Sequence, residues 1–388
     1  MALASKHKKL LARLALLVAA IVVPLCIAEA VLRATAPVRP PPHPIAVVCG
    51  ACSYVYKLNP TRKEVSPQGF VGQKTYVNPK PAGVNRLMVL GDSLVFGVGI
   101  PSVDRAFPAV LERSLNKAKE GSAEVINTGV PGYTAYNELH LYLDQGRAFT
   151  PDVVLVGFCM NDVVDPENHW FSTVPRSQRA GARIPPEAIP NPDYHRTVTV
   201  PRDQARMKQA TSQGAFRRAL AGTALGRIVL AQTMSRGVPP PPTATVGGKQ
   251  WPVDLTGEDD ISIQVLVDYD SPESRWLHGV YDQLDKAVTD AGSKLVVLLF
   301  PLEYQLEEGY PFKPEEQLLR YCNEKKLRCL DMIPALKKHR EERMFVGKET
   351  RPGAPIVRDI WHLSERGHAV AAEEVERYLS EQGLLGPR

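Results

Sequence analysis

A serine that is to attack an acyl carbon needs three kinds of help from elsewhere in its chain. It needs a base that works near neutral pH, a carboxylate to orient that base, and N–H groups aimed at the oxygen that becomes negative. Four short stretches of this sequence hold such residues: Gly91-Asp92-Ser93 with Gly97 four residues later, Asn127-Thr128-Gly129-Val130-Pro131-Gly132, Asn161-Asp162, and Asp359-Ile360-Trp361-His362. Ser93 is the candidate nucleophile, His362 its base, and Asp359, three residues earlier, the partner for the other ring nitrogen. The Ser93 and Gly132 N–H groups and the Asn161 side-chain amide are the candidate oxyanion donors, and glycine at 132 leaves no Cβ between backbone and substrate.

Each stretch also has a plainer reading. G-D-S is common chance text, Asn161-Asp162 can end a strand as an Asx turn, and Asp359 to His362 can be the approach to a helix capped by Ser364. Asp92 reads as a turn-forming carboxylate, and His368 as a structural residue inside a helix. The conjunction of the four, in this order, favours chemistry.

The elements expected to position these residues alternate. Strands are expected at 86–90, 124–127, 152–158, 294–300 and 327–331, and helices at 107–119, 136–147, 274–291, 314–325 and 364–382. The run D-V-V-L-V-G-F from Asp152 is apolar almost throughout, as a strand covered on both faces must be. Alternation of this kind predicts a parallel sheet between two layers of helices, with functional loops at the carboxyl ends of the strands. The first three stretches fall there. About a hundred residues, 163–270, interrupt the pattern with a helix expected over 202–235, which reads equally as a cover for a sheet edge or as a substrate-contacting lid.

At 388 residues and 44% hydrophobic, the chain can form one large domain with extensions. Its net charge of +5 is scattered, with no basic block carrying interleaved aromatics, so nucleic acid is not an expected partner. His140, His169 and His195 have no ligand spacing and no dinucleotide or Walker loop occurs, so neither metal nor cofactor is expected. Lys6, Lys8, Lys9 and Arg13 precede an apolar stretch reaching Leu32, which reads as an inner-membrane signal anchor or, given Ala28-Glu29-Ala30, a cleaved signal peptide. Residues 1–34 are therefore expected as the targeting segment, 35–82 as a proline-rich linker and irregular preamble, and 83–388 as the main domain. Cys49 and Cys52, with Cys322 and Cys329, can form disulfides in three pairings among which the sequence does not choose, while Cys159 reads as a small core residue.

The text G-D-S-L-V-F-G, G-V-P-G-Y-T, N-D and D-I-W-H-L-S-E-R-G-H resembles, block by block, the SGNH or GDSL hydrolase family between Arg86 and about Tyr378. The resemblance implies a flavodoxin-like three-layer α/β/α sandwich, a triad of Ser93, Asp359 and His362, and an oxyanion hole completed by Gly132 and Asn161. It departs at Cys159, where the family usually has glycine two residues before the asparagine; Gly157 is displaced by two. The implied activity is a serine esterase acting through an acyl-enzyme. The anchor and the Gly69-Phe70-Val71-Gly72 preamble are similar to exported bacterial members linked to surface polysaccharides, which implies a place in the cell envelope and an O-acylated carbohydrate as substrate. Transfer of the acyl group to a sugar hydroxyl, and a non-catalytic binding scaffold of the same fold, are the alternatives.

Overall fold

The computed structural model describes residues 2–35, 44–163, 184–196, 243–253, 266–349 and 356–386, with Val174, Thr223 and Gly226. The helix expected over 202–235 lies almost wholly outside them, as do most of the two proline-rich stretches. The chain divides into two compact units, residues 1–42 with 200–239 and residues 43–199 with 240–388. The smaller unit is described as α1 (Ala2–Thr35), one helix that runs through Pro24. Nine large apolar side chains of α1, from Leu16 to Val31, are exposed. Among the described residues, no helix is long and apolar enough to cross a membrane.

The larger unit opens with a small hairpin, β1 (Ala46–Val48) and β2 (Tyr56–Leu58). There follow β3 (Asn85–Gly91), the one-turn α2 (Ser93–Phe96), α3 (Phe107–Leu115), β4 (Ala123–Asn127), α4 (Ala135–Asp144) and β5 (Val153–Phe158). A second hairpin, β6 (Thr243–Val246) and β7 (Lys249–Pro252), leads to α5 (Pro272–Asp290), β8 (Lys294–Leu299), α6 (Pro314–Lys325), β9 (Arg328–Asp331) and α7 (Ile333–Lys338). A third hairpin, β10 (Phe345–Glu349) and β11 (Ile356–Leu363), precedes the closing α8 (Glu365–Glu381).

Five strands make one sheet in the order β4-β3-β5-β8-β9, every neighbouring pair parallel. Side chains along β3 alternate between its faces. Met88 and Leu90 join the core shared with α4 and α5, and Leu87 and Val89 join the core shared with α3 and α8. The helices bury the stripes their spacing demands: Phe107, Leu111 and Leu115 on α3, and Leu277, Val280, Tyr281, Leu284 and Val288 on α5. This is the expected three-layer sandwich with a central parallel sheet. The chain leaves β3 for β4 on one side and then crosses to β5 on the other, so the crevice at the carboxyl ends of β3 and β5 is the switch point of the sheet.

The preamble, expected as an irregular lead-in, is built into the larger unit. Tyr54, Tyr56, Leu58, Phe70 and Tyr76 are buried in its core. The Val71 N–H donates to the Asn127 carbonyl at 2.9 Å and the Tyr76 hydroxyl to the Val125 carbonyl at 3.0 Å, so this segment covers the open edge of β4. Arg86, fully buried at the amino end of β3, donates to Glu124 and to the Phe149 and Val77 carbonyls, which leaves its charge paired. Two disulfides form, Cys49–Cys52 and Cys322–Cys329, and Cys159 is a buried free thiol.

Candidate active site

Ser93 is the first residue of α2, immediately past the end of β3. Asp92 caps this single turn, its Oδ1 accepting the Leu94 N–H at 2.8 Å. The cap keeps the turn tight and presents the hydroxyl at the sheet's rim. The Ser93 N–H belongs to a first helical turn, where no intrahelical acceptor exists.

The imidazole arrives from the far end of the chain. His362 Nε2 lies 2.9 Å from Ser93 Oγ, and His362 Nδ1 lies 2.7 Å from Asp359 Oδ2. A carboxylate can only accept, so the Nδ1 proton faces Asp359 and Nε2 is left to accept the serine proton. Burial pushes the Asp359 carboxyl up, but the hydrogen bond and charge of His362 and the N–H groups of Trp361 and His362 outweigh it. The group ends below the ordinary carboxylate range. Asp359 therefore remains an anion across the working range and holds the imidazole in one tautomer.

Asp359 and His362 sit on a strand, not in the turn before the last helix. Residues three apart on a regular strand point to opposite faces. Here the pairing of β10 with β11 jumps from Phe345↔Leu363 to Gly347↔Arg358, so Asp359 to His362 stand opposite Val346 alone. The extra residues form a bulge in which Asp359 Oδ1 accepts the Trp361 and His362 N–H groups at 3.1 and 3.2 Å. That fold-back puts both functional side chains on one side. The plainer reading of this stretch holds as well, because Ser364 caps α8 by accepting the Gly367 N–H at 3.1 Å.

Asn161 lies in the turn Met160–Val163 that follows β5, buried beside the nucleophile turn. Its Nδ2 donates to Asp92 Oδ2 at 2.7 Å and makes a longer contact, 3.4 Å, with the Tyr133 carbonyl. The opposite amide orientation would set two acceptor oxygens against each other, which fixes this one. The same Asp92 Oδ2 lies 3.3 Å from Ser93 Oγ. The serine hydroxyl has one proton, and His362 at 2.9 Å is the closer acceptor. Gly132 carries a φ of 82°, a left-handed turn that glycine adopts without strain, one residue before the carbonyl that meets Asn161. The three blocks thus meet at Asn161, which is held by Asp92. The position of Asp92 as anchor of Asn161 was not legible in the sequence, where a turn carboxylate next to a serine has no stated partner.

His368 stays outside this chemistry. It is buried in α8, its Nδ1 accepts the Phe107 N–H at 3.2 Å, and burial with the neighbouring His362 charge pushes it down to about 3.

A family model described as GDSL-like lipase/acylhydrolase matches residues 89–370, nearly three quarters of the chain. No curated protein matches the sequence. Among solved structures, the chain is similar to the lipase/acylhydrolase from Enterococcus faecalis, with 12% identity, a TM-score of 0.39, and coverage of 79% of this chain and 99% of that one. It is similar at 13% identity to LAE5, an alpha/beta hydrolase from the metagenome of Lake Arreo, with the same TM-score and coverage. The acetyl xylan esterase AlAXEase matches at 12% identity and TM-score 0.37, over 76% of this chain and 99% of that one. Overlaps this loose add no weight to the geometry.

Proposed function

The chain belongs to the GDSL-like lipase/acylhydrolase family and is an ester-hydrolysing serine hydrolase; from that premise we propose that Ser93, His362 and Asp359 carry its reaction through an acyl-enzyme. The observation that carries this reading is the pair of contacts at His362, 2.9 Å to the serine and 2.7 Å to the aspartate. Ser93 Oγ attacks the ester carbonyl as its proton passes to Nε2, and the Ser93 and Gly132 N–H groups with the Asn161 amide receive the oxyanion. Collapse expels the alkoxide, which takes the proton from Nε2. Water, deprotonated by the same nitrogen, then repeats the sequence on the acyl-serine and frees the acid. An imidazolium cannot accept the first proton, so turnover falls on the acid side.

The finer reading is an exported enzyme that removes acyl groups from an O-acylated carbohydrate. The two disulfides support an oxidising compartment. The lysines and Arg13 ahead of the exposed apolar side chains of α1 support an N-terminal address, kept as an anchor or cleaved. The choice of carbohydrate rests on the resemblance of the blocks to exported members.

A fluorophosphonate probe tests the chemistry: it should label wild-type protein at Ser93 and fail on Ser93→Ala and His362→Ala. Absence of labelling on folded wild-type chain would leave only a binding scaffold. Acetate release from acetylated xylan, compared with hydrolysis of p-nitrophenyl palmitate, tests the substrate class; a preference for the long-chain ester overturns it. Membrane fractionation with N-terminal sequencing tests export, and a cytoplasmic chain with reduced cysteines would rule it out.

A further inference from the structure

Beneath the oxyanion turn lie carboxyl groups that the mechanism above leaves unused. Glu138 on α4 and Asp162, the residue after Asn161, are both fully buried. Asp162 closes the turn that carries Asn161: its N–H donates to the Cys159 carbonyl at 3.0 Å, and its Oδ2 accepts the Cys159 N–H at 3.2 Å. The Tyr281 hydroxyl from α5 adds a longer contact, 3.4 Å, to the same oxygen. Both oxygens of Glu138, the Oδ1 of Asp162 and the Oδ1 of Asn161 have no hydrogen-bond partner among the described residues. Four buried acceptors face no donor, a costly arrangement unless one of the acids is itself a donor.

We propose that Glu138 and Asp162 are positioning residues: Glu138 keeps its proton beside ionised Asp162, and this singly charged pair holds the Cys159–Asp162 turn, with the Asn161 amide, in register with Asp92. The inference rests on the hydrolase reading above.

The assignment within the pair follows from the donors. Asp162 accepts an N–H and an O–H, as an anion should, whereas Glu138 accepts nothing. The groups facing them are Asp92 from the nucleophile turn, Tyr281 from α5, the Cys159 thiol and Tyr133. Among the described residues, none of the groups acting on either acid is a cation. Burial first, then the Asp162 and Asp92 charges, push Glu138 well above its ordinary value; burial and Asp92 do the same to Asp162. Loss of the Glu138 proton at alkaline pH would set a third buried anion beside Asp92 and Asp162. Like charges then drive the turn and Asp92 apart, and Asn161 leaves the position from which it donates.

The test is the pH dependence of kcat and KM for p-nitrophenyl acetate from about pH 6 to about pH 10, with spontaneous hydrolysis subtracted. Wild type should lose kcat reversibly on the alkaline side, by roughly tenfold or more, while KM moves less than about twofold, as expected when a transition-state donor is displaced. Glu138→Gln, which cannot ionise, should remove that alkaline fall. Asp162→Asn, which removes the partner charge, should weaken it and replaces Glu138→Gln if the latter does not fold. Glu315→Gln, a buried acid on α6 with its own Gln305 partner, should keep the wild-type limb. A wild-type kcat that is flat to about pH 10 overturns the inference, as does a Glu138→Gln limb that coincides with wild type, or an equal change in Glu315→Gln. Absence of turnover at every pH overturns the hydrolase reading and this inference together; turnover with an unmoved limb overturns this inference alone.

Discussion

A hydrogen bond of 2.7 Å between Asn161 and Asp92 is the contact from which the site's energetics are best argued at the residue scale. Removing one oxyanion donor commonly costs roughly 10²–10³ in kcat, so Asn161→Ala should lose about that with KM little changed. Asp92 makes two contributions, the cap of α2 through Oδ1 and the anchor of Asn161 through Oδ2. If the anchor dominates, Asp92→Ala in the Asn161→Ala background should add less than about threefold, because residues that act as one unit are not additive. Multiplying losses in the double variant would assign Asp92 to the cap alone. At Asp359, asparagine preserves the shape but offers an amide able to donate to Nδ1, which favours the wrong tautomer; a loss of roughly 10³–10⁴ in kcat is the expected reading.

At the scale of elements, the triad depends on a hairpin that lies outside the main sheet. Phe345 and Leu363 pair across it and are buried with Met344 against α8. The Ser364 N–H donates to the Met344 carbonyl at 2.8 Å. Gly367, in the first turn of α8, lets helix and hairpin close together: a Cβ there would collide with the Met344 carbonyl and stand 3.1 Å from Leu363 Cβ. Alanine is favoured over glycine in a helix by about 1 kcal/mol, whereas overpacking of this kind costs about 1–3 kcal/mol. Gly367→Ala should therefore destabilise the protein in urea unfolding and lower kcat by shifting His362. A more stable variant with full activity would show that α8 does not pin the hairpin.

This same element marks what could be read from sequence and what could not. The β3, β5 and β8 runs are apolar on both faces, so their burial was legible without knowledge of their neighbours. The candidate site was legible because four short stretches carry the needed residue types in order, the first three at the ends of such runs. The hairpin was not, because F-V-G-K-E and I-V-R-D are short and charged, and their pairing partner lies across a Pro- and Gly-containing segment. The bulge that turns Asp359 and His362 to one side exists only once Val346 stands opposite them. Nor was the role of the preamble visible, since its Tyr and Phe residues lack periodicity and find burial only against distant partners, Tyr133, Phe149 and the edge of β4.

Across the whole molecule, two buried groups set opposing dependences of stability on pH. His368 is pushed down to about 3 by burial and then by the charge of His362. Between about 6.5 and about 3 the unfolded chain takes up a proton that the folded one refuses, so stability falls as pH falls, by about 1.4 kcal/mol per unit from this group. Glu315 is pushed up to about 8, chiefly by burial. Between its ordinary value near 4.5 and about 8 the folded chain keeps a proton that the unfolded one has released, so stability falls as pH rises, at a similar rate. The slopes of these two groups cancel each other from about pH 4.5 to about 6.5, so together they leave stability level there, and each costs stability on its own side of that window. Buried Glu138, raised as well, adds its own fall in stability as pH rises above the ordinary carboxyl range. Urea unfolding of wild type, His368→Gln and Glu315→Gln at about pH 4, 5.5 and 7.5 separates the contributions. The histidine variant should flatten the acid side and the glutamate variant the alkaline side. A Glu315→Gln curve that runs parallel to wild type from pH 5.5 to 7.5 would mean that water reaches this carboxyl and that the core around α6 is more open than its packing implies.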